Sequence, residues 1–159
     1  SVYGKSKYIG ETMIKSNKNI IIRTSWLYSE FGKNFYKSMF KYTNERSELK
    51  VVFDQIGTPT YAGDLAKVIV NNIIEHPVFG LYHFSNEGVC SWYDFTKEIA
   101  SLTNHNNCNI IPIRSNEYPT PVTRPSYSVF DKHKIKSTYN ITIPYWKDSL
   151  QKCIDSSYE

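Results

Sequence analysis

Short apolar runs alternate along the whole chain with segments of helical period, and this alternation limits the fold more than any other feature. Ile20-Ile21-Ile22 opens a strand predicted over 20–28, its continuous apolar start pointing to burial on both faces. Further short strands are predicted over 49–54, 80–85 and 109–113. Between them, Phe35, Met39, Phe40 and Tyr42 predict a helix to about Asn44. Thr60 is the candidate N-cap of a helix over 61–75, with Leu65, Val68, Ile69 and Ile73 as its apolar face and His76-Pro77 as its stop. Ser91-Trp92-Tyr93-Asp94 predicts a capping box for a helix to about Leu102. Other helices are predicted over about 3–17, over 131–137, and from Pro144 onward, the last with Trp146, Leu150, Cys153 and Ile154 on one face. The stretch 115–123 reads as a loop stiffened by Pro119 and Pro121. Strands alternating with helices make the class α/β.

A chain of 159 residues is long enough for one sizeable core. The net charge of +4 is spread out, and its densest run, Lys132-His133-Lys134-Ile135-Lys136, is short enough to be a solvated helix face. No nucleic-acid signature is present. Cys90, Cys108 and Cys153 are odd in number and widely spaced, which predicts reduced structural thiols in a cytoplasmic protein. The four His are dispersed, so no metal site is implied. No apolar run has the length of a membrane span.

Tyr3 and Lys7 carry the clearest chemistry. Four residues apart, they share one face of a helix. A lysine ammonium beside a tyrosine favours the phenolate, and a phenol so tuned exchanges a proton with a carbonyl oxygen as hydride moves at carbon. With 13 Tyr in the chain, the bare spacing is also open to chance. The pair lies at the very start, with no Met and no strand ahead of it. There is no Gly-x-Gly-x-x-Gly loop of the kind that opens a dinucleotide crevice. Both points predict a piece of a longer protein.

The surrounding segments narrow the reading. Tyr3-Gly4-Lys5-Ser6-Lys7 runs into Tyr8-Ile9-Gly10-Glu11. Then come Arg23-Thr24-Ser25-Trp26-Leu27-Tyr28, Gly32-Lys33-Asn34-Phe35, the stretch from Val51 to Thr60, Asp64-Leu65-Ala66 and Thr123-Arg124-Pro125-Ser126-Tyr127-Ser128. In this order and spacing the chain resembles the dTDP-4-dehydrorhamnose reductases, extended short-chain dehydrogenase/reductases, over essentially its whole length.

The resemblance implies the C-terminal part of a Rossmann-like fold with its substrate-binding region, the N-terminal dinucleotide-binding half being absent. One globular unit over 1–159 is expected. Its first part, 1–90, would end the Rossmann-like core, with substrate-binding segments interleaved at about 29–60 and 86–159. The implied reaction reduces dTDP-4-dehydro-L-rhamnose to dTDP-L-rhamnose with NADPH or NADH; a magnesium dependence and a homodimer go unread in the residues. Tyr3 would protonate the C4 oxygen, and Lys7 would hold the nicotinamide ribose and lower the Tyr3 pKa. The family's third partner, a Ser or Thr, lies upstream, so the chain alone is expected to be inactive. A sugar-nucleotide epimerase or dehydratase and a non-catalytic binding subunit are the alternatives.

By the same resemblance Ser25 lies near the nicotinamide and Trp26 lines the substrate, although a strand-end aromatic also suits a core. Asn34 is either a helix cap or a sugar or diphosphate contact. Gln55 borders the nucleotide pocket. Arg124, in its Pro-stiffened loop, is either a phosphate fork or half of a structural ion pair. Asp64 reads as a first-turn carboxylate facing the helix dipole.

Overall fold

The computed structural model describes residues 2–118, 120 and 124–157. Helix α1 (Val2–Thr12) leads to β1 (Ile20–Arg23) and β2 (Leu27–Tyr28), then α2 (Phe35–Glu45) and β3 (Glu48–Val52). Two-residue strands β4 (Ile56–Gly57) and β5 (Thr60–Tyr61) precede α3 (Ala62–Val68), which runs on as a π-helical segment (Ile69–Ile74). Then follow β6 (Gly80–His83), β7 (Cys90–Ser91), α4 (Trp92–Leu102), β8 (Asn109–Ile113), α5 (His133–Tyr139) and α6 (Trp146–Asp155).

The strands pair two by two. β1 lies parallel to β6, Ile20 facing Gly80 and Arg23 facing His83. β3 lies parallel to β8 from Glu48–Asn109 to Val52–Ile113. The short β2 and β5 are parallel, while β4 and β7 run antiparallel. Parallel pairs need crossovers, and α2, α3 and α4 supply them.

Three clusters make the core. Tyr28, Tyr36, Phe95, Trp146 and Leu150 fill the space between α2, α4 and α6. Leu49, Val51 and Ile110 close the β3–β8 pair against α4. Tyr82, Phe84, Ile135 and Ile143 join β6 to α5, with Ile20 and Ile22 against their edge. The shared apolar face predicted for the last helix is buried as expected.

Several elements differ from the sequence reading. α1 stops at Thr12 rather than near 17; the Ile14 N–H turns back to the Glu11 carbonyl at 3.2 Å, and Met13 and Ile14 stay exposed. The predicted strand over 20–28 breaks at Thr24–Trp26, where Trp26 takes a left-handed φ of 50°. Its apolar start is half-buried rather than enclosed, since β1 pairs with β6 alone among the described strands. Thr60 does not cap α3; its hydroxyl donates to the Ser25 carbonyl at 2.6 Å, and Tyr61 occupies the cap position. The helix over 61–75 widens into the π form after Val68. α5 starts at His133, whose N–H is held by the Asp131 carboxylate at 2.8 Å, and ends at Asn140 in the left-handed region. The last helix begins at Trp146, since the Pro144 carbonyl is taken by the Glu87 N–H at 2.8 Å. Pro119 and Pro121 lie outside the described residues.

Candidate functional site

A groove of about 670 Å³ opens between α2, the β3–β8 pair and the start of α4. Phe35 and Tyr42 on α2 and Trp92 on α4 supply aromatic wall, and Arg46, Gln55 and Arg124 supply polar groups. Its size and mixed lining suit a nucleotide-sized ligand. The structure thus brings Gln55 and Arg124, 69 positions apart in number, to one concavity.

Gln55 is fixed from below. Its amide donates to the Ser115 hydroxyl at 2.9 Å, and that hydroxyl donates to the Asp54 carboxylate at 2.6 Å. The Ser115 N–H also reaches Asp54, at 3.0 Å. The Ser115 hydroxyl first, and then its N–H, hold the Asp54 carboxyl below the usual aspartate range. Strand ends β3 and β8 are thereby tied where the groove needs them. Arg124 is exposed at the rim, so its guanidinium is open to a ligand's anionic oxygens.

Asn34 behaves as the cap of α2. Its carboxamide oxygen accepts from the Lys37 N–H at 3.0 Å, and its NH2 group donates to the carbonyls of Ser29 and Phe31. Both ends of the side chain are thus spent on backbone, and Asn34 does not line the groove.

Tyr3 and Lys7 do share one face of α1, with the Lys7 ammonium 5.5 Å from the Tyr3 ring centroid. Tyr3 is 67% exposed, and no residue of α1 is buried. A bidentate pair fastens the helix: the Arg23 guanidinium donates to both Glu11 oxygens at 2.7 and 2.6 Å. That hydrogen-bonded pairing lowers the Glu11 pKa and raises that of Arg23. Neither Tyr3 nor Lys7 lines the groove.

Ser25 and Trp26 lie at the carboxyl end of β1, where open α/β sheets take ligands. The buried hydroxyls of Thr24 and Ser25 have no hydrogen-bond partner among the described residues. Trp26 stacks on Trp92, with centroids 3.4 Å apart and planes 7° off parallel. Trp92 is therefore both a groove wall and the support of Trp26, a role the sequence reading missed because Trp92 stood out only as part of a capping box. Tyr42 and Arg46 were missed as well. Their guanidinium-on-ring contact, 4.1 Å to the centroid, carries no sequence signal beyond i,i+4 spacing.

Asp64 is in the first turn of α3 as expected, but it is 5% exposed and does more than face a dipole. It accepts from the Asn86 NH2 group at 2.8 Å and from the Ser149 hydroxyl. Among the described residues no group of three His, Cys, Asp or Glu is placed to hold a metal ion, and no helix is long and apolar enough to cross a membrane.

Parallel strand pairs crossed by helices, with a groove at one end, put the chain in the α/β class. The profile described as the RmlD substrate binding domain matches residues 1–159, and the chain belongs to that family. It is 39% identical to the spore coat polysaccharide biosynthesis protein SpsK of Bacillus subtilis, over 96% of this chain and 53% of that protein. It is 40% identical to a dTDP-4-dehydrorhamnose reductase of Aggregatibacter actinomycetemcomitans, over 94% of this chain and 55% of that one. Among solved structures, dTDP-4-dehydrorhamnose reductase from Bacillus anthracis in complex with NADP superposes with a TM-score of 0.91 at 40% identity, covering 99% of this chain and 55% of that one. The chain spans about half the length of the relatives it matches.

Proposed function

We propose that the groove and the Tyr3–Lys7 helix serve, in the whole protein, the reduction of dTDP-4-dehydro-L-rhamnose to dTDP-L-rhamnose with NADPH or NADH. The observation that carries this reading is the convergence of Gln55 and Arg124 on one aromatic-walled groove, in a chain that matches a substrate-binding family throughout. The groove takes the dTDP portion, with Arg124 on phosphate oxygens and Gln55 on a polar edge, and Trp26 faces the sugar. Tyr3 gives its proton to the C4 oxygen, and Lys7 holds ribose hydroxyls beside it.

When bound, the nicotinamide supplies the hydride. The Ser25 hydroxyl at the end of β1, without a hydrogen-bond partner among the described residues, suits its carboxamide, so the residues present fit the nicotinamide end of the cofactor. Residues 1–90 form the end of the Rossmann-like core, and the segments at about 29–60 and 86–159 bind substrate. A cytoplasmic location and a homodimeric whole protein belong to the same proposal.

The test is turnover by the whole protein carrying Tyr3→Phe. Reduction of the keto-sugar is expected to slow by about a hundredfold or more, the usual contribution of a positioned acid, while calorimetric affinity for dTDP stays at the wild-type value. An unchanged rate would place the proton donor elsewhere. A product epimerised without net oxidation of the nicotinamide would favour the epimerase reading.

A further inference from the structure

Trp26 holds a backbone conformation that costs energy. Its φ of 50° is in the left-handed region, which a bulky residue adopts only when its surroundings compel it. Three contacts compel it here. Its carbonyl accepts from the Thr60 N–H at 3.1 Å. One face of its indole lies flat on the Trp92 ring. The six-membered edge of the indole crosses Gly57 so closely that a Cβ there would meet Trp26 Cε2 at 2.6 Å and Cζ2 at 2.8 Å.

Gly57 is not at a positive φ, so the position uses its missing side chain rather than its backbone freedom. It sits on β4, paired antiparallel with Cys90, and its own surroundings are buried. Trp92 is equally well anchored. It opens α4 directly behind the capping box of Ser91 and Asp94. The Phe35 ring packs on it at 4.4 Å, and Phe35 in turn stacks on the fully buried Phe95 at 5.9 Å. A continuous run of aromatic contacts therefore leads from the core to the Trp26 indole.

We propose that Gly57 and Trp92 form a clamp that aims the Trp26 indole at the hexose ring of the nucleotide-linked sugar, making both positioning residues for sugar recognition. The inference rests on the reading of Trp26 as the sugar wall. A flat indole contributes to sugar binding only through the face it presents, and a pre-set orientation avoids the entropy of ordering the ring when ligand arrives. The clamp supplies that orientation, and the groove, of which Trp92 is also a wall, holds the nucleotide.

The test uses the whole protein with dTDP and dTDP-L-rhamnose as calorimetric probes, and circular dichroism for the stacked indoles. The wild type is expected to show an exciton couplet from the Trp26–Trp92 pair and to prefer dTDP-L-rhamnose over dTDP. Gly57→Ala should weaken the couplet and shrink that preference by about fivefold, the effect of leaving one large side chain to be ordered on binding. Should Gly57→Ala fail to fold, Trp92→Ala and Trp92→Phe decide: the alanine variant should lose the preference and the phenylalanine variant, which keeps a ring under Trp26, should retain it. A couplet unchanged in Gly57→Ala, or a preference that survives Trp92→Ala, overturns the clamp. A wild-type protein that binds neither probe overturns the reading of the groove itself, and the couplet then still decides whether the clamp exists.

Discussion

Asn86 shows how much of this fold hangs on single polar side chains. It is fully buried, and its carboxamide oxygen accepts from the Tyr61 N–H at 2.8 Å, while its NH2 group reaches Asp64 and the Ser149 hydroxyl, both at 2.8 Å. Its carbonyl takes the Lys132 ammonium at 2.9 Å. That ammonium also pairs with Glu87, at 3.2 Å. Burial raises the Glu87 pKa, but the hydrogen bonds from Lys136 and Lys132 outweigh it, and the carboxyl titrates below its usual range. The cap of α3, the start of α6 and the turn before α5 thus meet at one residue, the first two on its side chain and the last on its backbone carbonyl. Asp64→Ala removes the acceptor shared by Asn86 and Ser149; the Asn86 NH2 group keeps the Ser149 oxygen and the Pro144 carbonyl, but the buried Ser149 hydroxyl proton loses its partner, which costs about 2 kcal/mol. Asp64→Asn keeps one acceptor oxygen and should cost about half as much. Urea unfolding at constant m-value measures both, and a midpoint shift in Asp64→Ala no larger than that of a surface substitution would refute the role. From sequence the first-turn position of Asp64 was legible, because capping and dipole rules are local. Its partners, 22 and 85 residues away, were not, because nothing local records a contact closed only by the fold.

Two elements with a local signal came out where sequence rules place them. The capping box at Ser91–Asp94 starts α4, and the apolar stripe of α6 is buried. The break at Trp26 was not legible because tertiary contacts with Trp92 and Gly57 set it. Of the groove lining, Gln55 was singled out by the family resemblance and Arg124 by its loop setting, whereas Trp92 needed the fold to show its second face. α1 is the α-helix with the least burial. It has 11 residues and none buried, a length at which an isolated helix is marginal in water. Its Glu11–Arg23 pair is only half-buried and adds about 1 kcal/mol. Gly10 lies in its interior, and a Cβ there meets nothing within 4 Å. Gly10→Ala should therefore stabilise α1 by about 0.5–1 kcal/mol and slow its amide exchange by about two- to fivefold, leaving β1 and α4 unchanged. Hydrogen exchange by mass spectrometry reads this segment by segment. Equal exchange in both proteins would mean that α1 is held by something other than its own helical stability.

At the scale of the molecule, surface area sets the last expectation. The chain exposes 9969 Å², whereas a compact monomer of its mass exposes about 8,200 Å². The excess, roughly a fifth, exceeds what one partner contributes to a standard protein interface. Among the exposed large apolar side chains, two stretches stand out. Val2, Tyr3, Tyr8, Ile9, Met13 and Ile14 are exposed along and just after α1. Val70 and Ile74 stand exposed on the π-helical segment, followed by Val78 and Phe79 ahead of β6. Ile74 alone is 66% exposed, one helical turn from Val70 at 56%, so the two form a ridge. Ridges of this kind on a soluble protein bind apolar dyes and invite association. The chain in isolation is therefore expected to enhance the fluorescence of anilinonaphthalene sulfonate while its thermal unfolding stays cooperative, which separates a folded exposed face from a loosened core. Val70→Lys with Ile74→Lys should cut that signal substantially and leave the unfolding midpoint nearly unchanged, because neither side chain packs in a core cluster. Dye binding unaltered by the double variant, or absent from the wild type, would show that this ridge is not the accessible apolar surface of the chain.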